Sequence, residues 1–139
     1  MKKYELLEGI TADVGIKATA DTFPELLEMC AQAMFEIMYK TDNVDMIEEK
    51  TVEIDVRNNN EETLHAFLGE LLFIFQTEYI IFKDFKVQIQ NGKVTCVAKG
   101  EKAKEGKHEY NIEIKAVTYH ELKVEKTDRG YTATVIFDI

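Results

Sequence analysis

The sequence has no serine, no tryptophan, one proline and two cysteines among its 139 residues. Lacking serine, it cannot carry the serine nucleophile of the common hydrolases. Two cysteines cannot build a disulfide framework, and the absence of any CxxC pair removes the usual zinc and redox motifs. Cys30 falls on the apolar stripe of a helical pattern and Cys96 in an alternating one, so both read as small buried hydrophobes in a reducing compartment. Neither GxGxxG nor GxxxxGK occurs, which leaves nucleotide binding of the usual kinds unsupported. None of His65, His108 and His120 stands four residues from another, so there is no zincin-type helix. His65, beside an apolar helical stripe, reads as a surface or packing residue.

Long apolar runs are missing too. The greasiest stretch, Leu71 to Phe82, is interrupted by Gln76, Thr77 and Glu78 and falls short of the roughly 20 residues a membrane span needs. Lys2 and Lys3 have no apolar segment behind them, so no secretory signal is read and a cytoplasmic location is expected, without membrane association. Basic residues are the minority, 17 against 26 acidic, for a net charge of −9. Most of such a surface repels a phosphate backbone, and no run interleaves Lys or Arg with aromatics. Direct nucleic-acid binding is therefore disfavoured; if RNA is involved, another protein holds it.

What remains is an ordinary globular composition, 45% hydrophobic and 31% charged, at a length suited to one domain over residues 1–139. Residues 4–9 read as a strand and Val14 to Ala20 as a second. Thr22 stands three residues before Glu25 as a capping box, with Pro24 in the first turn. Leu26, Leu27, Cys30, Ala33, Met34, Ile37 and Met38 then recur at helical spacing, predicting a helix over 23–39 whose methionines fill a core. Thr41 to Lys50 reads as a loop, and Val52, Ile54 and Val56 as a half-buried strand. Asn58-Asn59-Asn60 can cap a second helix over about 60–77, marked by Leu64, Phe67, Leu68, Leu71, Leu72 and Phe75. The period then drops to two. Phe85 to Ile89 and Val94 to Ala98 flank an Asn91-Gly92 hairpin turn, and Tyr110 to Ile114, Leu122 to Val124 and Tyr131 to Phe137 succeed them as further strands. The order β-β-α-β-α plus about five strands in hairpin succession predicts an α+β fold: a single domain of largely antiparallel β-sheets covered by two amphipathic helices.

Oxygen donors carry what chemistry there is. The last strand runs through Val135-Ile136-Phe137-Asp138-Ile139 with no polar tail, so Asp138 and the carboxylate of Ile139 could converge at a sheet end. Converging carboxylates must be protonated, paired with a base or bridged by a cation, and hard oxygens select calcium or magnesium. Pattern alone favours an exposed acidic terminus. For Asp13, in the break Thr11-Ala12-Asp13-Val14-Gly15, it favours a local turn hydrogen bond. Nothing local brings residues 13 and 138 together. The segment Lys115-Ala116-Val117-Thr118-Tyr119-His120 concentrates polar groups, which pattern alone reads as a strand end with satisfied side chains.

These segments resemble the archease family. Thr11-Ala12-Asp13-Val14-Gly15-Ile16 is similar to its N-terminal signature. Glu70-Leu71-Leu72 with Phe75-Gln76-Thr77-Glu78 resembles its central helix and the segment after it. Lys115 to His120 and Val135 to Ile139 match its two remaining hallmarks, in the family's order. Gly9-Ile10 stand where the family usually has Asp-His, and Gly69 where Asn is common. The resemblance implies a small cytosolic accessory protein that is not itself an enzyme. It would activate the GTP-dependent RNA ligase of tRNA splicing and RNA repair by promoting guanylylation and repeated turnover. In some archaea the family is also linked to steering a tRNA methyltransferase. It further implies a divalent metal, calcium, held by Asp13, Asp138 and Ile139 through its carboxylate or carbonyl. Lys115, His120 and Glu101 are the partner-contact candidates. The competing readings are a modulator or chaperone of a tRNA methyltransferase and a metal-dependent hydrolase using Asp13 and Asp138 with His120 or Lys115 as base.

Overall fold

In the computed structural model, residues 1–7 and 13–139 are described; the Gly9-Ile10 departure, Thr11 and Ala12 lie outside that set. The first pair of strands, β1 (Lys3–Leu7) and β2 (Asp13–Ala20), is succeeded by α1 (Phe23–Met38), β3 (Glu48–Asp55) and α2 (Asn60–Glu78). Then come β4 (Ile80–Gln90), β5 (Lys93–Lys102), the two-residue β6 (Ala116–Val117), β7 (Lys123–Thr127) and β8 (Gly130–Asp138). The pairings of these strands are antiparallel. They make two sheets, one ordered β1-β2-β8-β6 with β7 also on β8, the other β3-β5-β4. The α+β architecture expected from the pattern is what the chain adopts.

Both helices begin where the sequence says. Thr22 Oγ1 accepts the Glu25 amide at 3.2 Å, and Asn59 Oδ1 accepts the Glu62 amide at 2.9 Å. Each cap satisfies a first-turn N–H that the helix itself leaves unpaired. Helix α1 buries more than a stripe: Leu26, Leu27, Cys30, Ala31, Ala33, Met34 and Phe35 are all fully buried. It packs against both β2 and β4, so it lies between the two sheets. That position explains the small residues and the methionines, which adapt to two differently shaped walls. Cys30 and Cys96 are buried as expected, and burial pushes both thiols up to about 12.

Three expectations change. β4 begins at Ile80, five residues before the alternation seen from Phe85, because Tyr79 turns left-handed (φ 58°) and the strand starts at once. A register shift between Phe82 and Asp84 then breaks the period, burying Ile80, Ile81 and Phe82 in a row. Gly100 sits opposite that irregularity, where a Cβ would lie 1.8 Å from the Ile81 carbonyl oxygen. The stretch from Tyr110 to Ile114 alternates in burial only from Asn111 onward, Tyr110 itself being exposed, and it forms no strand; an isolated bridge joins Tyr110 to Tyr39 at the end of α1. Alternation records a buried face, not a ladder. Finally, simple hairpin succession fails, since β8 crosses back to pair with β2 along the whole length of β2.

Candidate functional site

The β2–β8 ladder runs from Ala20 opposite Tyr131 to Asp13 opposite Asp138. Ile16, Ala18 and Ala20 on β2 face the core together with Ala133, Val135 and Phe137 on β8. Strand alternation therefore sends Asp13 and Asp138 to the other face, directly across from each other. Opposed residues of an antiparallel pair have Cβ atoms about 4.5–5.5 Å apart, and like charges so placed are destabilising. Among the described residues neither carboxylate has a hydrogen-bond or ion-pair partner. Nor do three or more His, Cys, Asp or Glu side chains of the described residues meet there as a metal cluster. A cation at this place would need backbone oxygens and water besides the two acids, which is the shell calcium accepts.

The segment after Ile114 clamps this end of the sheet. β6 puts Ala116 opposite Asp138 on the flank away from β2. The Lys115 amide donates to the Asp138 carbonyl at 2.7 Å, and the Thr118 amide and hydroxyl both donate to the Ile136 carbonyl, at 3.1 and 2.8 Å. Ile139 packs its side chain against the core, which fixes the backbone next to Asp138. The Lys115 and His120 side chains are exposed; His120 lies 3.8 Å from Glu121. The topology thus gathers Asp13, Asp138, Ile139 and Lys115 at one sheet end, with His120 on the loop that leaves it.

Glu101 does not belong with them. It lies on β5 in the other sheet and is fully buried. Its carboxylate accepts the Asp45 amide at 2.9 Å, the Lys107 ammonium at 2.9 Å and His108 Nε2 at 3.0 Å, with Lys104 at 3.3 Å. His108 Nδ1 accepts the Lys104 amide at 2.9 Å, so the ring proton is on Nε2 and points at Glu101. The Asp45 amide first, then Lys107, His108 and Lys104, hold the Glu101 carboxyl down at about 2 despite burial. This side chain ties the 41–46 loop and the 103–108 turn to β5. The expectation that it touches a partner is corrected: a carboxylate enclosed this way serves the fold.

One arrangement has no signature in the sequence. His65 is more than the surface or packing residue its position in the helix suggests, for it stacks on Tyr119 with ring centroids 3.8 Å apart and planes 9° from parallel. Its Nε2 is 2.8 Å from the Val117 carbonyl, which can only accept, so this nitrogen donates. The two residues stand far apart in the chain, and the packing of α2 against β6 brings them together. No local signal announces such a pair.

Fold and site together define a small two-sheet α+β protein whose distinctive chemistry is a pair of acids facing each other across the end of a β-ladder. The family model described as the Archease protein family matches residues 4–139. "Protein archease" of Methanothermobacter thermautotrophicus is 41% identical over the whole of both chains, and that of Pyrococcus abyssi 39%, again over both whole chains. The solution structure of Methanobacterium thermoautotrophicum protein 1598 superposes with a TM-score of 0.87 at 40% identity, covering 98% of each chain. An archease of Thermotoga maritima, described as a possible chaperone, shares the fold at a TM-score of 0.70 and 21% identity, covering 97% of this chain and 98% of its own. The chain belongs to the archease family.

Proposed function

We propose that this protein is a non-catalytic partner of a GTP-dependent RNA ligase, promoting its guanylylation and repeated turnover, and that it does so through a divalent cation held at the β2–β8 end. The observation that carries the reading is the register that sets Asp13 opposite Asp138. Two acids fixed face to face form part of a hard-cation shell, and Ile139 supplies a backbone oxygen beside them. Calcium suits this set because it tolerates irregular shells completed by water. The Asp138 carbonyl is already engaged by the Lys115 amide, which leaves the Asp138 carboxylate as that residue's donor. Lys115 and His120, exposed on the adjoining segment, are free to meet the ligase next to the cation. No helix among the described residues is long and apolar enough to cross a membrane.

Multiple-turnover RNA sealing, with and without this protein, tests the proposal. Wild type raises turnover, and Asp138→Ala abolishes the gain while leaving the fold intact by circular dichroism. Undiminished stimulation by Asp138→Ala sinks the role given to the cation. Failure of the wild type to stimulate, with altered specificity of a tRNA methyltransferase instead, would transfer the function to that enzyme. Hydrolysis by the protein alone, lost in His120→Ala or Lys115→Ala, would make it a catalyst.

A further inference from the structure

The His65–Tyr119 stack stands beside an open cleft of about 490 Å³ that the carboxylate pair does not use. Arg57, Asn58, Glu62, His65 and Tyr119 line it. Tyr119 is 64% exposed, yet one face of its ring is fixed against His65, which is itself tethered to the Val117 carbonyl. An exposed tyrosine normally samples several rotamers; this one is held as a flat wall, so a ring stacking on its open face costs little further ordering. Among the described residues the Arg57 guanidinium, the Asn58 amide and the Glu62 carboxylate have no side-chain partner. Of the half-buried or buried acids, Asp13, Glu48 and Asp84 share this lack of a partner among the described residues, and several others do not. Glu28 accepts the Val87 amide, Glu36 the Tyr4 hydroxyl and Gln32, Glu61 the Val124 amide, and Glu101 its cluster.

The geometry points to a binding site for a guanine base. A flat aromatic wall accepts any base by its π-face, and its neighbours select among bases. A guanidinium matches the O6 and N7 acceptors of guanine, and a carboxylate accepts from guanine's N–H edge, whereas adenine offers a carboxylate only its exocyclic amine. One cation and one anion leave the cleft near neutral, so it reads a base edge and not a phosphate chain, in keeping with the acidic surface. The base can arrive on a free nucleotide or on a single strand. This site stands apart from the Asp13–Asp138 reading and does not depend on it.

The test is an NMR titration of the full chain with GMP, AMP and ribose 5-phosphate, and then with the hexanucleotides UUUGUU and UUUUUU as RNA. GMP is expected to give saturable shifts of the Tyr119 and His65 ring protons. Tyr119→Ala weakens binding by about tenfold or more, within the range of base–aromatic stacking, and Tyr119→Phe retains it. Glu62→Gln removes the preference for GMP over AMP. Tighter binding of UUUGUU than of GMP or UUUUUU assigns the base to a strand; GMP binding at least as tight as UUUGUU assigns it to a free nucleotide. Asp138→Ala leaves these shifts unchanged, which separates this site from the cation site. The inference is overturned if neither GMP nor UUUGUU gives a saturable response, if ribose 5-phosphate reproduces the shifts, or if Tyr119→Ala binds as wild type. A saturable response to N-acetylarginine amide in place of GMP overturns it in favour of a protein partner.

Discussion

Two carboxylate arrangements in this molecule make opposite use of the same functional group. Glu101 is enclosed and met by an amide, two ammonium groups and an imidazole N–H. Asp13 and Asp138 face each other at a sheet end, with no such partner among the described residues. A buried charge is tolerable only when compensated, and the Glu101 cluster has that compensation in full. Like charges directly opposite each other across a ladder are a local penalty. Where the chain satisfies its own acid, the acid builds the fold. Where it sets two acids opposite each other without such partners among the described residues, it builds no comparable cluster.

The comparison breaks most visibly at Glu101. Glu101→Ala leaves Lys107, His108 and the Asp45 amide uncompensated, and should lower the thermal midpoint further than Asp13→Asn, Asp138→Asn or Tyr119→Ala does. Hydrogen exchange should then show faster amides in 41–46 and 103–108 specifically. Acid unfolding gives the next effect. The Glu101 carboxyl is depressed from 4.5 to about 2 in the folded chain, so its stabilisation is present above about pH 4.5 and is lost as pH falls toward 2. Glu101→Gln should flatten that part of the wild-type stability–pH curve; an unchanged slope would mean that other groups carry it.

Calcium should act on the other arrangement alone. At a free concentration of about 100 times Kd it should stabilise the wild type by about 2.7 kcal/mol. A chelator should reverse this, and Asp13→Asn or Asp138→Asn should remove the response while Glu101→Gln keeps it. Calorimetry showing an equal response in Asp138→Asn would place the cation elsewhere. The smallest effect is the sharpest. In the absence of any divalent cation, Asp138→Asn should raise stability, by roughly 0.2–1 kcal/mol, because it removes a cross-strand repulsion. A loss would show that the carboxylate already has a partner.

The elements that write their signal locally were legible. The Thr22 and Asn59 caps, the stripes of both helices and the Asn91-Gly92 turn (φ 53° and 75°) each depend on residues a few positions apart. The β4 start was not, because an irregularity at Phe82/Asp84 disrupts the alternation on which a strand is recognised. Tyr110 to Ile114 misled for the converse reason, since a half-buried loop can alternate without hydrogen-bonding like a strand. For the candidate site, Asp13 and Asp138 were identifiable as acids and by family resemblance, but their opposition depends on the β2–β8 register, which no local pattern encodes. Glu101 shows the reverse error: its chemistry looked available until its surroundings were known.

The placement of α1 has a consequence for how the polypeptide comes into being. One of its walls is the β2–β8 ladder, in which Ala20 waits for Tyr131 and Ile16 for Val135. During synthesis on the ribosome, a helix apolar on nearly every side emerges early, while the strand that completes its enclosure, Gly130–Asp138, is made long afterwards. Until β8 threads in beside β2, that greasy cylinder has only part of its shelter, and the nascent chain stays at its most adhesive through most of the intervening translation.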